Sequence, residues 1–416
     1  MAESIFTLEA LEAAEGDALL LHYGSKQKPR LIVIDGGPKD IYKKSLAPRL
    51  AQIRQARGGG VMEVRMVMVS HIDGDHITGI LDLTRDLRKA QDGNEELPYD
   101  ILTLWHNSFD DIVAKLKAEI QEHVVRVKHT DLGADAAAIA ADVPQGRTLR
   151  FDANALSLNL NSGFEDLVIF ETKASGKKTV DANKLNIGEN LSFLILGPRR
   201  AEIDALEAKW STDVGKLLSK KSALKKKGVR KKAKNAGGAS IADVDALAEK
   251  ELLPAEFDAI AADFVDKSIP NLSSIVVLAT LHGKTMLLTG DARGDLILDS
   301  LEDCGLLAKD GGTMHVDLLK MPHHGSDRNM KQVFLERVTA DHYVFSADGK
   351  NGNPDVATFK MLFAARPKGP YTLWITNDVA PATKFIRSHK PAKVEVKIRK
   401  DPARSLKIEL GAAMQF

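Results

Sequence analysis

From Met1 to about Gly197, short apolar runs alternate with turn signals and polar, helix-like stretches. Ser4–Ala13, Asp17–Gly24 and Arg30–Gly37 have the texture of successive strands, the last two separated by the polar turn Ser25–Pro29. Val64–Val69 is almost wholly apolar, as expected of a strand covered on both faces. Behind it, Ile77, Ile80, Leu81 and Leu83 recur at helical spacing through Ile77–Arg88. Asp100–Trp105 and Leu191–Pro198 read as further buried strands.

The pattern changes between Pro198 and about Asp266, where the composition is helical and the charge strongly polarised. Lys216–Lys234 holds ten Lys or Arg and no acid, and the tract closes on Asn235-Ala-Gly-Gly238. Ser240 with Asp243 then resembles a capping box that opens an acidic helix. This region is expected to be an inserted helical hairpin with a basic, mobile tip.

Strand texture returns at Ser273–Asp291, an alternating pair around the tight turn His282-Gly283-Lys284. A helix over about Ala292–Leu306, strands at His315–Pro322, Asp341–Asp348 and Tyr371–Asn377, and a helix near Pro354–Ala365 complete the pattern. The chain thus divides into 1–198, an insertion at 199–266, and 267–416, and strands mixed with helices in both outer parts predict a layered α/β protein.

Composition narrows the classes. At 416 residues the chain suits one elaborated domain or two, and 44% hydrophobic with 28% charged residues is ordinary for a globular protein with a sizeable core. Lys plus Arg number 58 against 57 Asp plus Glu, so attraction to nucleic acid or an anionic membrane must come from local patches such as Lys216–Lys234. The single cysteine, Cys304, allows no internal disulfide. The acidic N-terminus lacks the basic start of a secretory signal, and no window approaches the ~18 uninterrupted apolar residues of a membrane span, so a cytoplasmic protein without membrane contact is expected.

The densest chemistry lies in Ser70-His71-Ile72-Asp73-Gly74-Asp75-His76, directly after a buried strand and before a helix. Side chains two apart on an extended segment point the same way, so His71 and Asp73 can converge on one cation. Gly74 allows the tight turn that presents Asp75 and His76 to a second position. Imidazole nitrogen with carboxylate oxygen suits zinc, manganese or iron. Taken singly, each residue also suits a strand-to-helix loop with Asp75 as its cap; the cluster points to metal.

The segment resembles the His-x-His-x-Asp-His signature of the metallo-β-lactamase superfamily, with Asp73 where the second histidine usually stands. This His-x-Asp-x-Asp-His form is similar to that in the metallo-hydrolase domain of bacterial competence-type DNA-uptake channels. Three further segments agree in order. Gly16–Leu21 with Leu31–Gly37 resembles the opening hairpin of that domain, Leu287–Asp291 the strand delivering a bridging aspartate, and Leu318–Ser326 its His-His-Gly-Ser motif. The resemblance implies a metallo-β-lactamase αββα sandwich interrupted by the basic helical insertion. It also implies two divalent ions, zinc or manganese. One site would use His71, Asp73 and Asp291, the other Asp75, His76, Asp291 and either His323 or His324. Asp75 and His324 are the residues expected to act in catalysis. The member of the His323/His324 pair that is not a ligand is expected to bond a carboxylate or the substrate. Asp35, in its Asp-Gly-Gly turn, is expected to bind no metal, and Asp291 taken alone would better suit the cap of the following helix.

Two departures bear on the first site. Where the superfamily supplies another histidine, the chain reads Ile269-Pro-Asn-Leu-Ser-Ser274. His106, after a buried strand, is a candidate for the missing ligand, against the alternative of a satisfied histidine beside Trp105. Asn353, in Gly352-Asn353-Pro354, stands where the competence-type domain carries Gly-His-Pro; it can bond a substrate but is a poor ligand. Replacing a histidine by Asp73 adds hard oxygen and moves preference from zinc towards manganese. The implied activity is hydrolysis of a phosphodiester, nucleic acid included, with Lys216–Lys234 gripping the polyanion through phosphates. Two alternatives stand beside it: a hydrolase of thioesters, lactones or other small molecules, and a non-enzymatic scaffold whose insertion binds a partner.

Overall fold

The computed structural model describes residues 4–107, 145–146, 148–172, 179–204, 271, 273–400 and 404–414. The basic tract Lys216–Lys234, with the insertion beyond residue 204, lies outside them.

The strands are β1 (Ser4–Leu11), β2 (Leu19–Ser25), β3 (Pro29–Ile34), β4 (Met62–Val64), β5 (Met66–Met68), β6 (Tyr99–Ile101), β7 (Thr103–Trp105), β8 (Asn159–Leu160), β9 (Lys184–Gly188), β10 (Leu191–Gly197), β11 (Val276–Leu281), β12 (Lys284–Leu288), β13 (Met314–Lys320), β14 (Val338–Phe345), β15 (Tyr371–Ile375), β16 (Val394–Ile398) and β17 (Ser405–Glu409). One sheet has the order β17-β1-β2-β3-β5-β7-β8, a second β16-β15-β14-β13-β12-β11-β10-β9, and β4 pairs with β6 alone. The last strand therefore returns to the first sheet, where β17 runs antiparallel to β1 with Leu8 opposite Ile408.

Alternation along the strands explains the layering. In β3, Ile32 and Ile34 enter a cluster shared with Phe193, Ile195, Val277, Ala279 and Leu288 of the other sheet. Leu31 and Val33, on the opposite face, pack on Leu50 and Ile53 of helix α1 (Ala47–Ala56) and on Ile77, Ile80 and Leu83 of α2 (Gly74–Asp92). The outer face of the second sheet is covered by α3 (Gly294–Asp303), α4 (Gln332–Arg337), α5 (Val356–Ala365) and α6 (Ala380–His389), through Ile297, Leu301, Phe334, Phe359, Leu362 and Ile386. The molecule is a mixed α/β protein whose two sheets face each other across an apolar centre, with helices outside both.

Several boundaries differ from the apolar pattern. The run Val64–Val69 is divided at Arg65, whose N–H bonds Leu31 O at 2.9 Å and whose Nε reaches Ile187 O at 2.9 Å. Asp100–Trp105 is divided at Leu102, whose N–H turns to Val64 O. Neither Asp75 nor Asp291 caps a helix: the cap positions of α2 and α3 belong to Asp73 and Arg293. The turn between β11 and β12 has both central residues left-handed, His282 at φ 49° and Gly283 at φ 81°, the geometry that matches strand twist. Gly36 and Gly79 let the end of β3 touch α2, since a Cβ on Gly79 would lie 1.9 Å from Gly36 O. Among the described residues no helix is long and apolar enough to cross a membrane.

Candidate metal centre

The centre gathers at one end of the facing sheets, where β3, β5, β12, β13 and β14 all terminate in loops. β5 runs into His71 and Asp73, α2 begins with Asp75 and His76, β12 delivers Asp291, and β13 leads to His323 and His324. Asp73 sits at the α2 cap in extended backbone without making a side-chain cap bond, which leaves its carboxylate for the centre. Oδ2 of Asp73 is 3.5 Å from His71 Nε2.

Asp291 is the hub. Its Oδ2 lies 3.9 Å from His71 Nε2, 3.6 Å from His323 Nε2 and 3.4 Å from His324 Nε2, and its Oδ1 is 3.4 Å from His76 Nε2. Asp75 reaches His324 Nε2 at 3.5 Å and His76 Nε2 at 3.9 Å. All seven ligands inferred from the sequence therefore meet in one place.

Three imidazoles are fixed from behind. Asp35, left-handed at φ 57°, accepts from Ser70 N at 2.7 Å, from Ser70 Oγ at 2.7 Å and from His76 Nδ1 at 2.8 Å. With its proton given to Asp35, Ser70 Oγ can only accept from His71 Nδ1, 3.1 Å away. His324 Nδ1 donates to the carbonyl of Ser346 at 3.0 Å. Each ring can thus keep its proton on Nδ1 and offer an Nε2 lone pair inward to a cation, the arrangement that outer hydrogen bonds impose on metal-binding histidines.

This donor set fits a cation. His76 Nε2 and His324 Nε2 are 3.2 Å apart, and two lone pairs at that distance repel unless positive charge joins them. His71 Nε2, Asp73 Oδ1 and Asp291 Oδ1 are buried and make no hydrogen bond, a costly arrangement for polar atoms without another partner. Asp17, His76, Asp291 and His324, all buried, offer ligand atoms within 4.8 Å of one another and could hold a metal ion.

The charges reinforce one another. Burial pushes the Asp291 carboxyl up, but His324, His76 and His323 outweigh it and hold it well below the usual range. Burial likewise opposes ionisation of Asp75, yet His76 and His324 lower it. Burial disfavours the charged form of His76, whereas Asp291, Asp35 and Asp75 raise its pKa well above the ordinary value, and Asp291 with Asp17 does the same for His324.

Other expected residues stand differently. His106 is buried, held by backbone bonds to Asn161, and joined to the cluster by no hydrogen bond or ion pair among the described residues. Burial, with Arg150 nearby, depresses its imidazole to about 4. Asn353 donates through Nδ2 to His323 O at 3.4 Å and so touches the motif's backbone. His323 and His324 are both left-handed, at φ 47° and 56°, a cost that non-glycine residues accept mainly where function or surrounding contacts demand it. Of the positions before β11, Asn271, Ser273 and Ser274 are buried, and Ser274 Oγ accepts from Asp291 N at 3.3 Å.

Sequence reasoning missed Asp17, Ser70 and Lys320 as members of the site and left Asp35 as a turn residue. Asp17 is fully buried, its Oδ1 3.5 Å from His324 Nδ1 and its Oδ2 2.6 Å from Lys320 Nζ. A lysine in the middle of an apolar strand run was the one available signal. No protein-family model matches the chain, and no curated protein is significantly similar to it.

Proposed function

We propose that this protein is a metal-dependent hydrolase of the metallo-β-lactamase type, acting on a phosphodiester. The observation that carries the reading is the convergence of His71, His76, His323 and His324 Nε2 on the single carboxylate of Asp291. A carboxylate shared between a His71–Asp73 side and an Asp75–His76–His324 side suits two ions, and the helix–sheet–sheet–helix packing is compatible with the fold that the motifs resemble.

Bound there, divalent zinc or manganese would supply a water acidic enough to attack at neutral pH and a positive clamp for the leaving oxygen. The chain's own residues do the positioning. Ser70 and Asp35 keep the His71 and His76 rings in one tautomer, and Ser346 O does so for His324. Asp73 and Asp75, about a quarter exposed, form the side of the cluster that a substrate can approach. The phosphodiester preference rests on the motif style and on Lys216–Lys234, whose charge suits a polyanion.

The test is elemental analysis of protein purified without chelator, wild type beside Asp75→Ala, followed by a screen of chromogenic phosphodiesters, thioesters and lactones. Close to two equivalents of metal, reduced in the variant, with turnover of the phosphodiester is the expected outcome. Thioester or lactone turnover alone would replace the substrate class, and protein that cannot be loaded with zinc or manganese would overturn the hydrolase reading.

A further inference from the structure

Among the described residues one lysine is buried. Lys320, at the end of β13, is 1% exposed, and its ammonium donates to Met321 O at 3.2 Å and pairs with Asp17 at 2.6 Å. Lysine is almost never so buried without a partner, and a pair this deep adds little stability compared with apolar side chains of the same size. Its retention therefore asks for another role.

The contacts of Asp17 indicate that role. Its backbone N–H bonds Asp75 O at 3.3 Å, and its neighbour Gly16 lies so close to Asp75 that a Cβ would come within 1.9 Å of that carbonyl. Gly16 O accepts from Ser346 Oγ at 2.7 Å, and Ser346 O in turn accepts from His324 Nδ1. The Nδ1 edge of His324 thus donates to Ser346 O at 3.0 Å and faces Asp17 Oδ1 at the ion-pair distance of 3.5 Å, while Lys320 pairs with the other oxygen of Asp17.

We propose that Lys320 and Asp17 are positioning residues for the metal centre: the buried ammonium fixes the Asp17 carboxylate behind His324, which orients the ring and strengthens its Nε2 as a donor. The inference rests on the metal reading above. A carboxylate behind a ligating imidazole raises its basicity, and losing such a partner typically weakens metal affinity by about 10–100-fold.

The test uses the full chain, stripped by chelator and titrated with Mn2+ alone, with thermal denaturation of the same samples. Wild type is compared with Lys320→Met, Asp17→Asn and the double variant, in which neither charge is left unpaired. The double variant should regain the melting temperature that the single variants lose. One binding step in it should stay about 10–100-fold weaker than in wild type, with the other unchanged. If Lys320→Met does not fold, the double variant carries the comparison. Recovery of both melting temperature and affinity would make the pair merely structural and overturn the inference, as would equal affinity in all proteins. Wild type that takes up no Mn2+ would instead overturn the metal reading, and this inference with it, an outcome visible before any variant is made.

Discussion

His76 Nε2 and His324 Nε2 stand 3.2 Å apart, 248 residues distant in sequence, each ring held by a bond from its other nitrogen. Neither ring can turn away without losing Asp35 or Ser346, so the pair must share positive charge. A proton can supply that charge, and so can a metal ion.

Metal and protons should therefore compete. Both imidazoles are raised well above their ordinary 6.5 by the surrounding carboxylates, so the stripped protein keeps protons near neutrality that a metal must displace. Apparent affinity should fall roughly tenfold per pH unit for each proton released as pH drops from 8 to 6. Titration calorimetry in buffers of different ionisation enthalpy counts those protons. The stripped protein should also lose stability as pH rises through the raised values, because the charged rings stabilise only the folded state, whereas loaded protein should not.

Asp291 touches every histidine of the cluster, while Ser70 Oγ bonds the rings of His71 and His76 only. Asp291→Asn should abolish loading with both ions and turnover alike. Ser70→Ala should retain the His324 side and weaken binding by about 10–100-fold where His71 contributes. Metal stoichiometry in both variants distinguishes the two effects.

Glu9, buried under α1, takes bonds from Arg49 Nε at 2.8 Å, His22 Nε2 at 3.0 Å and Ser405 Oγ at 2.6 Å, and so ties β1, β2, β17 and α1 together. Burial raises its pKa, but His22 and Arg49 prevail and bring it to about 2. Its contribution is complete above the ordinary value of 4.5 and is lost as pH falls towards about 2. Glu9→Ala should cost about 3–5 kcal/mol near neutral pH, because it leaves Arg49 part-buried without that carboxylate. The gap from wild type in urea denaturation should narrow between pH 5 and pH 3.

Deleting Lys216–Lys234 removes ten cationic residues and no acid. Affinity for single- or double-stranded DNA, and the steepness of its salt dependence, should both fall, while turnover of a small phosphodiester stays near wild type. Equal DNA binding with and without the tract would remove it from the substrate grip.

The chain's own pattern determined a good deal. Short, nearly continuous apolar runs in Arg30–Gly37 and Ser273–Asp291 suffice to locate strands, because a strand between two layers is apolar on both faces. The spacing of His71, Asp73, Asp75 and His76 sufficed to mark the centre, because a strand end followed by a helix start presents neighbouring side chains together. Local pattern stops where contacts are long-range. Asp35, Asp17 and Lys320 look like turn or strand residues until folding brings Asp35 under His76 and sets Lys320 against Asp17 behind His324. His106, by contrast, follows a buried strand as a ligand would, yet among the described residues no hydrogen bond or ion pair joins it to the cluster. β17 shows the same limit, since its partner β1 lies almost four hundred residues away. The identity of a ligand type is written in the side chain, but its charge, tautomer and direction are decided by groups that only the tertiary structure brings within hydrogen-bonding distance.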